Sequence, residues 1–282
     1  MEPSDPLATS IRFSHEAMKT TFTVRIRGQE ETVARGMAHE CFARIDALEN
    51  LLSRFREGSD VARINQLAAG ETLYLSEECH HCLLIALETG AKTGGLFDVT
   101  LGTAIEHRKS GAQGNTPSPE GSLAVHPDVL AVTCIEPGRR IDLGGIGKGF
   151  ALDELKRLLL DWGCDDALLT AGASSMLAIG PSRWPVDLPA DVSPLRIALE
   201  NEALSASGTH IQGSHIVHPD GGETPEPPWS RVWVVAETAA VAEVWSTAFM
   251  LMDEGSAAGL ADGDPMLRAV YAEKSGAAER IL

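Results

Sequence analysis

The sequence predicts a mixed α+β fold in a single domain, and three observations carry that prediction. Strand-like and helix-like segments are interleaved, but without the strict alternation of a doubly wound parallel sheet. No linker clearly divides the chain, and no internal repeat recurs. The 282 residues are 44% hydrophobic and 22% charged, an ordinary globular composition for a chain long enough to bury a sizeable core.

The elements follow in order. Residues 21–27 alternate apolar and polar side chains, the pattern of a half-buried strand. A long helix is expected over roughly 30–53, because Cys41, Ile45, Leu48 and Leu52 recur every three or four residues. Ser59 reads as the N-cap of a second helix that buries Val61 and Ile64. Ser76 caps a third, whose stripe is Cys79, Cys82, Leu83, Ala86 and Leu87. Residues 109–122 form a Pro/Gly/Ser loop. Val129–Thr133 reads as a strand. From Arg140 the chain runs as strand, Gly-rich turn and then a helix over 148–162, with Phe150, Leu155, Leu158, Leu159 and Trp162 inward. Ala167–Ala171 is a short apolar strand. Pro-rich loops at 181–194 and 218–230 follow. Val232–Ala236 and Leu267–Glu273 read as strands, and Ala239–Met252 as a helix.

Charge narrows the partners. Asp plus Glu number 40 against 23 Lys plus Arg, a net charge of −17. Such a surface repels nucleic acid and anionic membranes. A phosphate compound must then be attracted locally, by a metal, a Lys or backbone N–H groups. The start, Met1-Glu2-Pro3-Ser4-Asp5, is acidic where a signal peptide is basic, and no long apolar run follows. A cytoplasmic location is expected. Five Cys in a chain of this length do not suggest a disulfide scaffold.

Five segments could carry chemistry. Asp142-Leu143-Gly144-Gly145-Ile146-Gly147-Lys148-Gly149 ends an apolar stretch at an acid and places a Lys where a helix begins. Glycines and a helix N-terminus suit an anion, but the segment matches neither the P-loop nor the dinucleotide fingerprint. A plain strand-to-helix turn remains open. Gly94-Gly95-Leu96-Phe97-Asp98-Val99-Thr100 reads equally as a helix stop. Three His, at 210, 215 and 218, lie near Ser207-Gly208 and offer acid–base or ligand chemistry. Glu243 and Thr247 stand four residues apart on one helix face, where they could hold a hard cation or be a solvated Glu and a back-bonded Thr. Cys79-His80-His81-Cys82 lacks a second ligand pair, so buried thiols are expected there.

Taken in order, these segments resemble the FAD:protein FMN transferases, the ApbE-type flavin transferases. The resemblance also takes in Ala17-Met18-Lys19-Thr20, Ser53-Arg54-Phe55-Arg56, Ser59 with Asn65, and His215-Ile216-Val217-His218-Pro219. It runs from about Ala17 to near Met252. It implies an ApbE-like, T-fold-like α+β domain over 17–282, after an N-terminal tail at 1–16. It implies a Mg²⁺-dependent enzyme that takes FAD as substrate, joins FMN to a Thr or Ser hydroxyl of an acceptor protein and releases AMP. By the same resemblance Met18, Phe55, Leu96, Phe97, Asp98, Asp142, Lys148 and Val217 line the FAD site. The carbonyls of Gly145 and Ser246, with Glu243 and the Thr247 hydroxyl, hold the metal, and His215 takes the proton of the incoming hydroxyl. The chain departs from the family pattern at Lys19, Phe55, Ser174, Ala206, His218 and Glu243. Those departures keep two further expectations in play: an FAD-binding or slowly FAD-hydrolysing protein without transfer, and a non-catalytic scaffold. Exported relatives carry a lipid-modified Cys near the start, whereas the first Cys here is Cys41.

Overall fold

The computed structural model describes residues 5–110, 117, 119–208, 216–220 and 227–282. A short helix α1 (Pro6–Thr9) leads into the hairpin β1 (Ile11–Ala17) and β2 (Thr20–Ile26). Helices α2 (Glu31–Leu52) and α3 (Asp60–Ile64), strand β3 (Thr72–Tyr74), and helices α4 (Glu77–Lys92) and α5 (Gly102–Lys109) follow. Then come β4 (Ser122–Val125), β5 (Ala131–Glu136) and α6 (Gly147–Asp161). The second half holds β6 (Ala167–Ala171), β7 (Ser175–Ile179), β8 (Trp184–Leu188), β9 (Leu195–Leu199), β10 (Ala203–Gly208) and β11 (Arg231–Ala236). Helices α7 (Ala239–Phe249) and α8 (Glu254–Ala261) precede β12 (Leu267–Lys274) and β13 (Ala277–Arg280).

Eight strands form one sheet in the order β1-β2-β6-β7-β10-β11-β12-β13, every neighbouring pair antiparallel. Both faces of its centre are covered. In β6, Ala167, Leu169 and Ala171 face the main core while Leu168 faces the other side; in β11, Val232, Val234 and Ala236 oppose Trp233 and Val235. This explains why Val232–Ala236 reads as an unbroken apolar run and Ala167–Ala171 is broken only by Thr170: the side-chain period is two, and each face meets a core. Helices α2, α4, α6 and α7 build the main core with the first face. The hairpin β8–β9 covers the second face with Trp184, Val186, Leu188 and Leu199. A three-stranded sheet, β3-β5-β4, lies apart.

The helix readings hold where local chemistry dictates them. In α2, Cys41, Ile45 and Leu48 are fully buried, and burial of each large apolar side chain contributes roughly 1.5–3 kcal/mol. The Ser59 and Ser76 side chains accept from the N–H groups of Ala62 and Cys79, as N-caps do. Cys79 and Cys82 are buried, and burial pushes both thiols up, so they are inert. Among the described residues no three His, Cys, Asp or Glu side chains gather as a metal site, and no helix is long and apolar enough to cross a membrane.

Several expectations change. The 1–16 tail gives way to an ordered edge: Ile11–Ala17 pair residue for residue with β2. Tertiary pairing there overrides a weak local pattern. The 181–194 loop contains β8, whose Pro185 sits in a two-stranded sheet where every strand is an edge. The strand expected at Val129–Thr133 begins at Ala131, because Val129 accepts the Ala131 N–H in a turn. No strand forms at Arg140–Leu143, where other partners take the backbone. Leu87 and Trp162, expected inward, are exposed; Trp162 is the C-cap of α6, past its last packed turn.

Candidate active site

One cleft gathers most of the predicted site. Leu96, Phe97, Asp98, Asp142, Gly145, Lys148, Val217, Glu243, Ser246 and Thr247 all line it. They arrive from four places: the segment after α4, the Gly-rich turn into α6, the segment at 216–217, and α7. Predicted residues Met18 and Phe55 do not line this cleft. His215 lies outside the described residues, as does His210.

Helix α7 supplies the floor. It is packed on every side, and all its residues are buried except Thr247, with Glu243, Ser246 and Thr247 on the face that meets the cleft. Glu243 is only 3% exposed, which excludes the solvated alternative for it. One carboxylate oxygen, Oε1, pairs with Lys148 Nζ at 3.0 Å and accepts from the Ser175 hydroxyl. The other, Oε2, is buried with no hydrogen-bond partner. A buried carboxylate oxygen left open is costly unless a ligand or ion meets it. Ser246 Oγ stands 3.0 Å from both Ser205 Oγ and Ser207 Oγ and donates to the Glu243 carbonyl.

The Gly-rich turn comes close to α7. A Cβ on Gly145 would lie 3.0 Å from Phe97 Cε2, pressing on the ring, and at an ordinary contact distance of 3.8 Å from Thr247 Oγ1, so glycine lets the turn lie close to Phe97. Gly149 serves packing instead: a Cβ there would lie 2.4 Å from the Ala239 carbonyl oxygen. That contact seats α6 on α7 and puts Lys148 beside Glu243. Asp153 completes the joint by accepting the N–H groups of Ala239 at 2.8 Å and Ala240 at 2.9 Å. These are donors the helix itself leaves open. Burial pushes the Asp153 carboxyl up to about 7, against the pull of those two N–H groups.

Asp142 ends the approach to the turn. Its Oδ1 accepts the Gly144 N–H at 2.8 Å, and its Oδ2 lies 3.2 Å from Arg54 Nε. The N–H is not aligned on that oxygen, so this pair is electrostatic and leaves both atoms without a hydrogen bond. Asn65 explains the missing strand here: its side chain takes both backbone groups of Ile141, at 2.6 and 3.0 Å, while the Asp142 N–H bonds the Val99 carbonyl. Asp98 accepts from Thr100 through Oδ1 and pairs with Arg139 at 2.8 Å through Oδ2.

Phe55 is 64% exposed and lies between two cations, with Lys19 Nζ 4.1 Å and the Arg54 guanidinium 4.5 Å from its ring centroid. Arg54 thus links Phe55 to Asp142. Met18 and Lys19 form the two-residue turn of the β1–β2 hairpin with φ of 49° and 59°, a geometry for which Asn-Gly is preferred. Sequence reading missed Ile105, Lys109, Ser174 and Ser205 as cleft-lining residues and Arg139 as the partner of Asp98. The basic last turn of α5 was the available signal for Lys109.

A cation fits one corner of the cleft. Its donors there are hard oxygens: the open Oε2 of Glu243, and the Thr247 hydroxyl, which has no hydrogen bond among the described residues. Gly145 lies within reach of Thr247.

Comparison with known proteins adds to this geometry. The model of the ApbE family matches residues 18–271. A FAD:protein FMN transferase of Klebsiella pneumoniae is 25% identical over 89% of this chain and 81% of its own length. The Escherichia coli K12 protein of the same name is 24% identical over the same shares. Among solved structures, the flavin transferase ApbE of Vibrio cholerae superposes with a TM-score of 0.80 at 18% identity, covering 96% of both chains. The apo flavinyl transferase ApbE of Pseudomonas stutzeri gives 0.80 at 22% identity, covering 96% of this chain and 94% of its own. The α+β architecture is therefore that of these proteins, and the chain belongs to the ApbE family.

Proposed function

We propose that this protein is a FAD:protein FMN transferase that moves FMN from FAD to a Thr or Ser hydroxyl of an acceptor protein and releases AMP. The observation that carries the reading is the buried Oε2 of Glu243, without a hydrogen-bond partner among the described residues, on a residue that lines one cleft with Asp142, Lys148 and Thr247. Relatives in the family are named FAD:protein FMN transferase, which supports FAD as the FMN donor and a protein as the acceptor.

The reaction forms one bond and breaks one. The acceptor oxygen joins the FMN phosphorus, the P–O bond to AMP breaks, and the hydroxyl proton leaves to a base. His215 is the proposed base, a role its residue type suits near neutral pH. Leu96, Phe97 and Val217 offer apolar surface against the flavin nucleotide, while Asp98 and Asp142 offer acceptors to its polar edges. Phe55 and Met18 are assigned to the same ligand beyond the cleft. Lys148 holds the carboxylate of Glu243 in place. Glu243, the Thr247 hydroxyl and the carbonyls of Gly145 and Ser246 would hold Mg²⁺, which when bound supplies charge neutralisation for the pyrophosphate.

The test is a titration of the purified protein with FAD and Mg²⁺, read by melting temperature and by mass of an acceptor peptide. Covalent FMN on the peptide with release of AMP is expected. AMP release with no flavinylated acceptor would reassign the chain to hydrolysis, and no FAD-dependent shift at saturation would remove flavin binding. Substitution His215→Gly is expected to abolish transfer; unchanged transfer would take His215 out of the mechanism.

A further inference from the structure

Among the described residues, five charged side chains line the cleft: Asp98, Asp142, Glu243, Lys109 and Lys148. Four of them are neutralised within the protein. Asp98 pairs with Arg139 at 2.8 Å, Asp142 with Arg54 at 3.2 Å, and Glu243 with Lys148 at 3.0 Å. Lys109 has neither an ion pair nor a hydrogen bond among the described residues, although it stands at the cleft wall. Among the described residues the charged wall therefore sums to one positive charge, and Lys109 is its source. This is notable in a chain of net charge −17, where an unpaired Lys has many carboxylates to choose from.

The position is built by α5. Lys109 is its last residue, and the helix turns Ile105, one turn earlier, into the same cleft. The neighbouring Arg108 donates to the carbonyl of Ile216, which ties the end of α5 to the segment that supplies Val217. Leu101, Ala104 and Val217 pack together beneath it. The end of α5 is thus fixed against the cleft, while the ammonium has no charged partner among the described residues. Lysine suits this task as a compact point charge on a flexible stem.

We propose that Lys109 is a substrate-specificity residue that binds the pyrophosphate of the dinucleotide from the cleft wall. This rests on the flavin-transfer reading above for the identity of the dinucleotide, but not for the anion. An exposed cation opposite a phosphate adds electrostatic binding that a neutral flavin cannot use. It also answers how so acidic a molecule draws in an anion: the charge excess is reversed locally. The competing account is that Lys109 only complements the C-terminal dipole of α5, as His107 and Arg108 do in the same turn. That account moves the stability of the ligand-free protein and leaves ligand affinity alone.

The experiment measures binding of FAD, riboflavin and inorganic pyrophosphate to the full chain by calorimetry, with Mg²⁺ present, for wild type, Lys109→Met and Lys109→Arg. Lys109→Met is expected to weaken FAD and pyrophosphate about tenfold, with riboflavin unchanged. Lys109→Arg should restore most of the loss, and the wild-type advantage should shrink as salt rises. Equal FAD and pyrophosphate affinities in wild type and Lys109→Met overturn the role of Lys109, as does an equal loss for riboflavin. Wild-type binding of pyrophosphate through Lys109 without binding of FAD keeps Lys109 and removes the flavin reading. Binding of none of the three by the wild type overturns both.

Discussion

The residue that decides most is Glu243. A carboxylate 3% exposed survives because Lys148 and Ser175 take one oxygen, while the second oxygen, also buried, has no hydrogen-bond partner among the described residues. Breaking this pair from the lysine side strands a buried charge. Lys148→Met is therefore expected to destabilise the ligand-free protein by about 3 kcal/mol, read as a lower urea midpoint with an unchanged slope. Glu243→Gln keeps the shape and removes the charge. For the proposed Mg²⁺ site, the expected signature is an FAD-induced melting shift that Mg²⁺ no longer enhances, and an unchanged Mg²⁺ response would exclude Glu243 as the proposed ligand. The spacing of Glu243 and Thr247 was legible because four residues bring two side chains to one helix face. Their burial was not, since a Glu at that spacing is more often solvated. Phe55 shows the opposite. The motif named it, but the fold turns its ring outward between Lys19 and Arg54.

At the scale of elements, the site depends on how α6 sits on α7. Gly149→Ala would put a methyl 2.4 Å from the Ala239 carbonyl oxygen. The helices must then part, at an expected cost of about 1–3 kcal/mol, measurable by chemical denaturation. Asp153 fastens the same joint and makes it sensitive to pH. Its folded pKa of about 7 stands above the ordinary 3.8, so the folded chain holds this proton more tightly than the unfolded chain. Its contribution to stability is full below the ordinary value and is lost as pH rises toward 7. The wild type is expected to lose stability relative to Asp153→Asn across that window, followed as melting temperature against pH. Parallel profiles for the two proteins would remove Asp153 as the cause. Sequence reading placed α2, α3, α4, α6 and α7, because caps and a 3.6-residue apolar period are local signals. It passed over β10, whose Ala-Leu-Ser-Ala-Ser-Gly run has few strand-forming side chains and is held by β7 and β11 on either side.

At the scale of the molecule, the long sheet separates two large cores, and the cleft takes Phe97 and Val99 from the first but only Ala206 from the second. The β8–β9 hairpin closes the second core around Trp184, which is fully buried. Trp184→Ala is expected to cost about 3–5 kcal/mol and to leave FAD affinity within twofold. Equilibrium unfolding and calorimetry check the two halves of that statement. The acidic surface is also a property of the whole, and the cleft answers it by pairing its carboxylates with Arg139, Arg54 and Lys148.

The sequence by itself determined the α+β class, the main helices with their caps, and a set of glycine, acid and lysine positions that marks the ApbE family. Those features are local, or are carried by short motifs whose residue order is preserved. The tertiary structure alone decided which motif residues meet. Ten of the predicted positions share one cleft because Gly149 and Asp153 lock α6 to α7, and because Asn65 holds Ile141 out of a strand. It alone showed that Arg54 and Arg139 cancel the acids of the cleft and leave Lys109 uncancelled. The physical reason is that charge balance and burial depend on neighbours distant in the chain, which no local period or spacing records.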